Sequence, residues 1–487
     1  MGFNMKRIFA CMFLAFSNIY SQSLTLEDAI DYALKHNQQI KQYEAKLSQK
    51  EFQNLEALGN FLPQINLNAS YTHLNDPIGI DLDPIRQAMI QLQSKNQVEL
   101  ANIYNLLQGN PQLTNEQRNL LFNQYSSQLN SLIPPFTKEL KKQDYKTATL
   151  VGIQPIFTGG KLLAAKRFSI LDEKAAEVQL KQIQDEVTKE VIKKYLTVAL
   201  MNDVIKIRSD VVESVKKHRD RADKMLKQGL ISNHNLLRAE VALADAEKNL
   251  FEDKNKLELA YLALKNEMGM DLNESILIED SLIFHDFTDS LEFLSELAKI
   301  DNTILQLIEL KKQQAKQKFN VERSSFLPTL AAFGKYELYP EYLSALEPRW
   351  AVGLSLNINL FNGFRDYAKL QTVDYLIEEV NALQKNVENK ISLLINKNFK
   401  DVNNSKEKYF RNKINVALAN ENLRLNEKRF ETGLGTSLEV VDANLAYEKA
   451  LLDSESYLYE YYSNLTELYS AAGKPQNVIL ILKDKEN

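Results

Sequence analysis

The chain carries a direct repeat of about 200 residues, and this repeat constrains its fold more than any other feature. Three glycine-containing sites recur at an offset of 204 positions: residues 157–161 with 361–365, Gly229 with Gly433, and Gly269 with Gly473. A period this long exceeds the unit of a solenoid, so each copy must be half of a duplicated protein. The sequence predicts a first repeat over residues 24–273 and a second over 288–473.

The N-terminus has the features of a secretory signal peptide over residues 1–23. Lys6 and Arg7 precede an apolar run that is too short to span a bilayer, and small and polar residues follow. Cys11, the only cysteine, lies in this segment, so we expect no disulfide in the mature chain; a lipid anchor at Cys11 is the less favoured alternative. Removal of both basic residues takes the net charge from -5 to about -7, which disfavours nucleic acid as a partner.

Short segments of alternating apolar and polar residues interrupt the helical pattern. Phe-Leu-Pro opens one such segment at Phe61 and another at Phe326, and each half has a second one, near 147–157 and from Trp350 to Leu360. The last has the length of a tilted transmembrane strand; a half-buried strand of a soluble sandwich is the alternative. Two strands per half make four, and the smallest bacterial barrels need about eight. Four strands in a membrane therefore predict an oligomer, because lipid cannot satisfy open strand edges.

The rest of each half is predicted to be helical. Residues 159–228 and 365–432 have no proline and no glycine away from their ends, which allows helices on the order of 100 Å long. Return helices of roughly 35 residues end near Gly269 and Gly473. An opening helix over residues 25–60 and a return helix together match one long helix in length, so we expect the two to stack end to end beside it.

In the order and spacing of these segments, the chain resembles the TolC-like outer membrane efflux proteins, the exit ducts of Gram-negative export machines. The resemblance covers nearly all of the mature chain, and its most specific part is the segment from Phe430 to Asn444. It implies a mostly α fold with a membrane β-barrel: a homotrimeric duct with four strands per protomer and long antiparallel coiled-coil helices. Residues 274–300 and the tail 474–487 would form a belt around the helices. A strand face with Gly353, Ser355, Asn357 and Asn359 would line the lumen.

The function implied by the resemblance is that of an outer-membrane exit duct in a tripartite efflux or type I secretion system. It implies a periplasmic adaptor (membrane fusion) protein and an inner-membrane transporter as partners, outer-membrane lipid around the barrel, no enzymatic activity and no cofactor. The adaptor would dock at the helix tips, on Gly229, Leu230, Gly433, Leu434 and Gly435. An exported coiled-coil structural protein or adhesin without channel activity is the alternative, and it leaves the strands unexplained.

The resemblance also places a gate at the periplasmic entrance, just past the second tip turn. Glu439 and Asp442 match acidic positions that project into the pore in this family. Trimerisation would repeat them as rings, and acidic rings select for cations. Ordinary solvated acids at a helix start are the alternative interpretation.

Three further residues are candidates for the same gate. Phe430 matches an aromatic that the family often has at the constriction. In the repeat register, Asn235 and Arg238 are the first-half counterparts of Glu439 and Asp442, and we hypothesise that Arg238 offsets the charge of Asp442; a plain surface arginine is the alternative. Gly435 departs from well-known members, in which a basic residue takes part in closing contacts.

Residues 75–144 break the symmetry of the two halves, because the first repeat is longer here by roughly 60 residues. This insert is rich in Asn and Gln, with a helix start at Asp83-Pro84 and a capping box from Thr114 to Gln117. By topology it lies outside the cell, where outer-membrane barrels keep their longer loops. We expect some helix in it, and a cap, a partner-binding element and a poorly ordered loop stay open as interpretations.

Overall fold

A computed structural model describes residues 24–278, 281–344 and 347–483. The predicted signal peptide lies outside these residues. The chain divides into two compact units: the helical unit comprises the chain up to Glu56, Ala164–Phe319 and the chain from Ala368, and the sheet unit comprises Ala57–Leu163 and Asn320–Tyr367. Among the described residues, no helix is both long and apolar enough to cross a membrane.

The described residues are mostly helical, as predicted. The helices are α1 (Leu26–His36), α2 (Gln38–Gly59), α3 (Asp83–Leu107), α4 (Asn115–Leu132), α5 (Lys161–Lys227), α6 (Asn233–Met268), α7 (Leu291–Asp301), α8 (Thr303–Arg323), α9 (Arg365–Glu431), α10 (Ser437–Ala471) and α11 (Asn477–Lys483). The strands are β1 (Gln64–His73), β2 (Ile78–Asp81), β3 (Thr137–Lys141), β4 (Asp144–Thr158), β5 (Thr329–Glu337) and β6 (Trp350–Asn357).

The sequence repeat is reproduced element by element. The long helices α5 and α9 each have 67 residues, and α9 begins at Arg365, 204 positions after α5 begins at Lys161. The return helices α6 and α10 keep the same offset, from Asn233 to Ser437. The pair α7 and α8 corresponds to α1 and α2, so α7 is part of the second repeat although it lies within the predicted belt.

Each opening segment consists of two helices, and the prediction of one continuous helix over residues 25–60 is wrong. Asn37 accounts for the break, because its Oδ1 accepts hydrogen bonds from the first N–H groups of α2 while its Nδ2 donates to the carbonyl of Glu267 (2.7 Å). Asn302 makes equivalent contacts in the second repeat, with Nδ2 donating to the carbonyl of Ala471 (2.9 Å). Asparagine favours such a cap over a helix interior. Each asparagine therefore starts a new helix and ties it to the end of a return helix.

Replacing Asn302 with alanine is expected to lower the free energy of unfolding by about 2 kcal/mol, because a helix cap and a buried hydrogen bond are both lost. Asn426→Ala is the matched control, since Asn426 lies inside α9 and donates to the carbonyl of Asn422 on an exposed face. Thermal unfolding followed by circular dichroism in detergent compares the two. Equal shifts for both variants would show that Asn302 has no special structural role.

Four strands form one antiparallel sheet in the order β1-β4-β5-β6, which confirms the predicted number for the membrane part. The register aligns apolar residues on one face: Leu67 lies opposite Leu150, and Trp350 lies opposite Tyr336. On β6, Trp350, Val352, Leu354 and Leu356 are all more than 60% exposed in the single chain. The sheet thus presents an uncovered apolar face, as a lipid-facing sheet does.

The strand β6 ends at Asn357, three residues before the predicted end at Leu360. Asn357 pairs with Thr329, and the residue before Thr329 is Pro328, which has no N–H to continue the ladder. Asn359 lies beyond the strand and donates instead to the carboxylate of Asp366 at the start of α9 (2.9 Å). Its predicted place on the strand face is therefore wrong.

The connections of the four-stranded sheet separate into two ends. At one end, β1 and β5 arrive from α2 and α8, and β4 and β6 continue into α5 and α9. At the other end, the insert joins β1 to β4, and residues 338–349 join β5 to β6. The insert is therefore built on the end of the sheet that is remote from the helix connections.

The insert contains two helices and two strands, so the expectation of helix within it is confirmed. Asp83-Pro84 begins α3, and Thr114 and Gln117 form the predicted capping box at the start of α4. The helices α3 and α4 pack against each other, and β2 and β3 form a separate two-stranded ribbon at their base, which the sequence did not reveal.

The main apolar core of the helical unit lies along the middle of α5 and the C-terminal half of α10. Tyr461 and Tyr462 of α10 are fully buried there. The segment after α6 crosses this region: the ring of Phe284 stacks on Tyr409 of α9 (5.4 Å), and the hydroxyl of Tyr461 donates to the carbonyl of His285 (2.9 Å). These contacts explain why the segment between the repeats packs on the helices instead of forming a free linker.

Candidate gate at the helix tips

Both tip turns have the same glycine-capped geometry. Gly229 and Gly433 adopt left-handed backbone conformations (φ +77° and +75°), and the following leucines close the turn: the N–H of Leu230 donates to Met225 (3.0 Å) and that of Leu434 to Arg429 (2.9 Å). Leu230 and Leu434 are 65% and 76% exposed. The predicted docking residues therefore present apolar side chains to solvent.

Gly435 is held against the end of α9. Its N–H donates to the carbonyl of Arg429 (3.0 Å), and a Cβ here would lie 3.0 Å from the backbone nitrogen of Phe430 and 3.1 Å from Arg429. A side chain would have to displace this backbone. The tightness of the second turn thus accounts for glycine at this position.

Glu439 caps the start of α10. Its carboxylate accepts from the backbone N–H of Thr436 (2.7 Å), and the Thr436 hydroxyl accepts from the backbone N–H of Glu439 (3.3 Å). The Thr436 hydrogen bond, with a further contribution from Arg429 at 3.7 Å, holds the pKa of Glu439 below its usual value. Within one protomer, this residue makes the contacts that its helix-start interpretation predicts.

Asp442 lies one turn further along α10 and is exposed. Among residues 24–278, 281–344 and 347–483 its side chain has no hydrogen-bond or ion-pair partner. Its carboxylate therefore makes no polar contact within the described chain, unlike that of Glu439.

The hypothesised pairing of Arg238 with Asp442 is not present within the protomer. Arg238 instead donates from Nε to the Nε2 of His234 (3.1 Å), one turn earlier on α6, and Asn235 donates to the hydroxyl of Ser232 (3.3 Å). Arg238 lines an apolar groove of about 350 Å³ between α5, α6 and α10. The sequence register put it on the right helix but could not show which way its guanidinium turns.

Phe430 is only 1% exposed and packs in the core of the tip. Its ring lies 4.8 Å from that of His218. The apolar cluster around it consists of Ala222, Met225, Ala239, Leu423, Val440 and Ala443. Within the protomer, Phe430 joins the two tip hairpins, and its place at the constriction of an assembled entrance stays a prediction.

His218 is a tip residue that the sequence did not reveal. It is 5% exposed on α5, and its Nε2 lies 2.9 Å from the hydroxyl of Ser437, the first residue of α10. Burial, together with the nearby Arg221, lowers the pKa of His218 to about 4. The imidazole is therefore neutral at pH 7 and links the first repeat to the second.

Further polar contacts join α5 to the second repeat on either side of this histidine. They are the ion pairs Arg208–Glu448 and Arg221–Glu431 (2.6 Å), and the hydrogen bond from Asn444 to Ser214 (2.9 Å). Arg208 also pairs with Asp253 of α6 (2.8 Å), and both of its carboxylate partners are nearly buried. Removal of Arg208 would leave the carboxylate of Glu448 nearly buried without a counter-charge. This network therefore holds the hairpins in one arrangement.

The tip contains charged, apolar and hydrogen-bonding groups. No cluster of three metal-ligating side chains occurs among the residues that the structure describes. The arrangement can hold two helical hairpins together or let them part, and it can present the Asp442 carboxylate to ions.

The outer membrane efflux protein family model matches residues 103–270 and 294–474, which is most of the chain. The chain belongs to this family. As a member of the outer membrane efflux protein family, it is an outer-membrane protein, and the family assignment supports a role in efflux. A search of curated protein sequences returns no match.

Solved structures of outer-membrane channels share the fold of this efflux protein at low sequence identity. VceC, an outer membrane protein of Vibrio cholerae, is 17% identical with a TM-score of 0.69, over 92% of this chain and 96% of VceC. The CmeC outer membrane channel of Campylobacter jejuni is 15% identical with a TM-score of 0.69, over 100% and 98% of the two chains. The open state of the MtrE channel of Neisseria gonorrhoeae is 14% identical with a TM-score of 0.67, over 93% and 89%.

Proposed function

We propose that three copies of this chain form a gated exit duct of a tripartite efflux or type I secretion system. The uncovered apolar face of the four-stranded sheet carries the proposal, because such a face needs lipid and its open edges need further strands. Three copies supply twelve strands, enough to close a barrel. The long helices of the three copies would extend the duct into the periplasm.

Purification in detergent, mass measurement and planar-bilayer recording test this proposal directly. We expect a particle of three protomers that inserts into bilayers and conducts ions. A detergent-independent, soluble protein without conductance would contradict it and would support the exported coiled-coil alternative.

The tip turns would form the docking site for the adaptor, which couples the duct to an inner-membrane transporter. Leu230 and Leu434 support this assignment, since an exposed leucine at each tip offers an apolar anchor that burial against a partner would stabilise. The two turns lie at equivalent positions of the repeat, so a homotrimer would present six similar anchors in a ring.

Asp442 is the proposed selectivity residue of the periplasmic entrance, because its exposed carboxylate has no partner within the described chain. We expect Asp442→Asn to reduce the preference for cations and the block by multivalent cations severalfold, since a ring of three charges is lost. Single-channel recording in asymmetric salt measures the preference.

Glu439→Gln is the matched variant for this experiment. Glutamine keeps the capping contact with Thr436 and removes the charge, so it separates the two roles of this side chain. We expect a smaller change in cation preference than for Asp442→Asn. Unchanged conductance, preference and block in Asp442→Asn would exclude the ring.

A further inference from the structure

The insert helix α3 has apolar residues on two faces, and only one of them is covered. The covered face follows every fourth residue and comprises Ile90, Ser94, Val98 and Asn102, all buried in the pair with α4. The open face comprises Ile85, Met89, Leu92, Leu100, Ile103 and Leu107, each between 51% and 80% exposed. Six large apolar side chains in one stripe make a patch of the size that marks an interaction site, on the order of several hundred Å².

The open stripe has the spacing of a coiled-coil seam. Ile85, Met89, Leu92, Asn96 and Ile103 follow intervals of three, four or seven residues, as the a and d positions of a heptad do. The polar member, Asn96, is exposed near the middle of the stripe. A single asparagine at such a position fixes register and copy number in bundles of identical helices.

The charges of the helix pair allow several copies to approach one another. Between residues 83 and 132 the basic and acidic residues balance: Arg86, Lys95 and Arg118 against Asp83, Glu99 and Glu116. Glu99 occupies the seam position between Asn96 and Ile103, and its charge is paired with Arg118 of the same chain (2.7 Å). Identical copies therefore meet without a net repulsion.

The base of the helix pair is fixed to the end of the sheet. Arg86 donates to the carboxylate of Asp83 (2.5 Å) and to the carbonyl of Ile133 (2.6 Å), which joins the start of α3 to the end of α4. Below it, Lys141 of β3 pairs with Glu347 in the β5–β6 connection (3.0 Å). The open face of α3 thus belongs to a helix pair whose base is held in place by these contacts.

We infer that the open face of α3 is a contact surface for further copies of this chain, so that three α3 helices pack through it into a bundle across the outer mouth of the duct. The inference rests on the homotrimer of the proposed function. A barrel of three protomers carries three such helix pairs on one rim, related by its threefold axis. Lipid is a poorer occupant, because it leaves Asn96 without a hydrogen-bond partner, whereas three copies of Asn96 bond to one another.

Disulfide cross-linking at the centre of the stripe tests the bundle. Asn96→Cys is made in a chain with Cys11→Ser, and the purified particle, with its mass measured first, is oxidised with copper-phenanthroline. Three thiols at one axis yield one disulfide and one free thiol, so about two-thirds of the protomers should run as covalent dimers after denaturation. Gln91→Cys is the control, since Gln91 is exposed on the same helix about 140° away and should stay monomeric.

The outcomes separate this inference from the proposed function. A particle that is not a trimer overturns both. A trimer in which Asn96→Cys stays monomeric, like the control, overturns only the bundle, and labelling of that cysteine by a lipid-soluble maleimide would then identify lipid as the occupant.

A second pair of variants tests the bundle without requiring disulfide geometry. Leu92→Glu places three like charges at the seam. It should raise single-channel conductance severalfold, because the repulsion would separate the three α3 helices. Leu120→Glu, at a site on α4 that is 70% exposed, should leave conductance at the wild-type value. Equal conductance in the two variants would contradict the bundle.

Discussion

Acidification from pH 7 to pH 4.5 is expected to loosen the helix tips of the wild-type protein, and His218→Gln is expected to abolish this response. The imidazole of His218 is buried against Phe430 of α9 and Ser437 of α10, and the charge of Arg221 on the same helix also disfavours its protonation. A proton on this ring would place a cation beside Arg221 and at the N-terminus of α10, where the helix dipole also disfavours positive charge.

The direction of the effect follows from the two pKa values. The pKa of His218 is about 4 in the folded tip and about 6.5 in an unfolded chain, so the unfolded chain binds more protons between these values. The stability that the neutral imidazole confers is complete above pH 6.5 and is lost as the pH falls towards 4. The full difference amounts to about 3 kcal/mol.

The measurement must be local, because other groups titrate in the same range. Burial raises the pKa of Asp185 to about 6 and that of Glu455 to about 7, and these protonated carboxyls stabilise the folded state at low pH, opposite to His218. Hydrogen exchange of peptides from the tips, at several pH values, isolates the contribution of His218. Exposed His234, which bonds to Arg238, supplies the control variant His234→Gln. A wild-type tip whose protection, after correction for intrinsic exchange, does not change with pH would refute the prediction.

The elements of this fold could be predicted because their causes are local. Absence of glycine and proline predicts the two long helices, and glycine at the tip turns ends them within a residue or two of the observed bounds. Strand alternation is equally local, whereas the early end of β6 depends on its partner, because Pro328, just before β5, cannot extend the ladder. The breaks at Asn37 and Asn302 were missed since they depend on carbonyls more than 150 positions away.

The candidate gate was less predictable, since its function depends on which way side chains turn. Glu439 and Asp442 are three positions apart, yet Glu439 caps a helix and the carboxylate of Asp442 makes no polar contact within the described chain. Phe430 and His218 come together in a core between two repeats, and no spacing in the sequence shows that contact. The repeat register shows only that His218 corresponds to Asn422 in the second half. The reason for a histidine at this position becomes visible when the structure places α10 beside α5.

Gly473→Ala is expected to have a large effect on the folding of the helical unit. Gly473 follows α10 with φ +84°, and a Cβ there would lie 2.5 Å from the carbonyl oxygen and 2.6 Å from the carbonyl carbon of Asp301. Both are backbone atoms at the junction of α7 and α8, so no rotamer change relieves the overlap. The left-handed conformation alone costs about 1–2 kcal/mol for alanine, and the overlap must add to it.

The tip glycine Gly433 separates these two contributions. Its φ of +75° is nearly the same, but a Cβ there would meet no atom within 4 Å. Gly433→Ala should therefore lower the free energy of unfolding by about 1–2 kcal/mol, while Gly473→Ala should lower it by more than about 3 kcal/mol or prevent accumulation of folded protein. Yield in the outer membrane and the thermal midpoint in detergent compare the two. Equal losses would mean that backbone conformation, not the close approach, determines the effect.

Gly269 extends the argument to the repeat itself. A Cβ on Gly269 would lie 2.7 Å from the carbonyl oxygen of His36, the equivalent of Asp301 in the first repeat. In both halves an opening helix breaks at asparagine, and the carbonyl just before the break packs on the glycine that ends the return helix. The pairs Asn37–Gly269 and Asn302–Gly473 are therefore one structural joint made twice. Gly269→Ala should reproduce the defect of Gly473→Ala, because neither joint has room for a side chain. The same lack of room explains why glycine recurs at an offset of 204 positions.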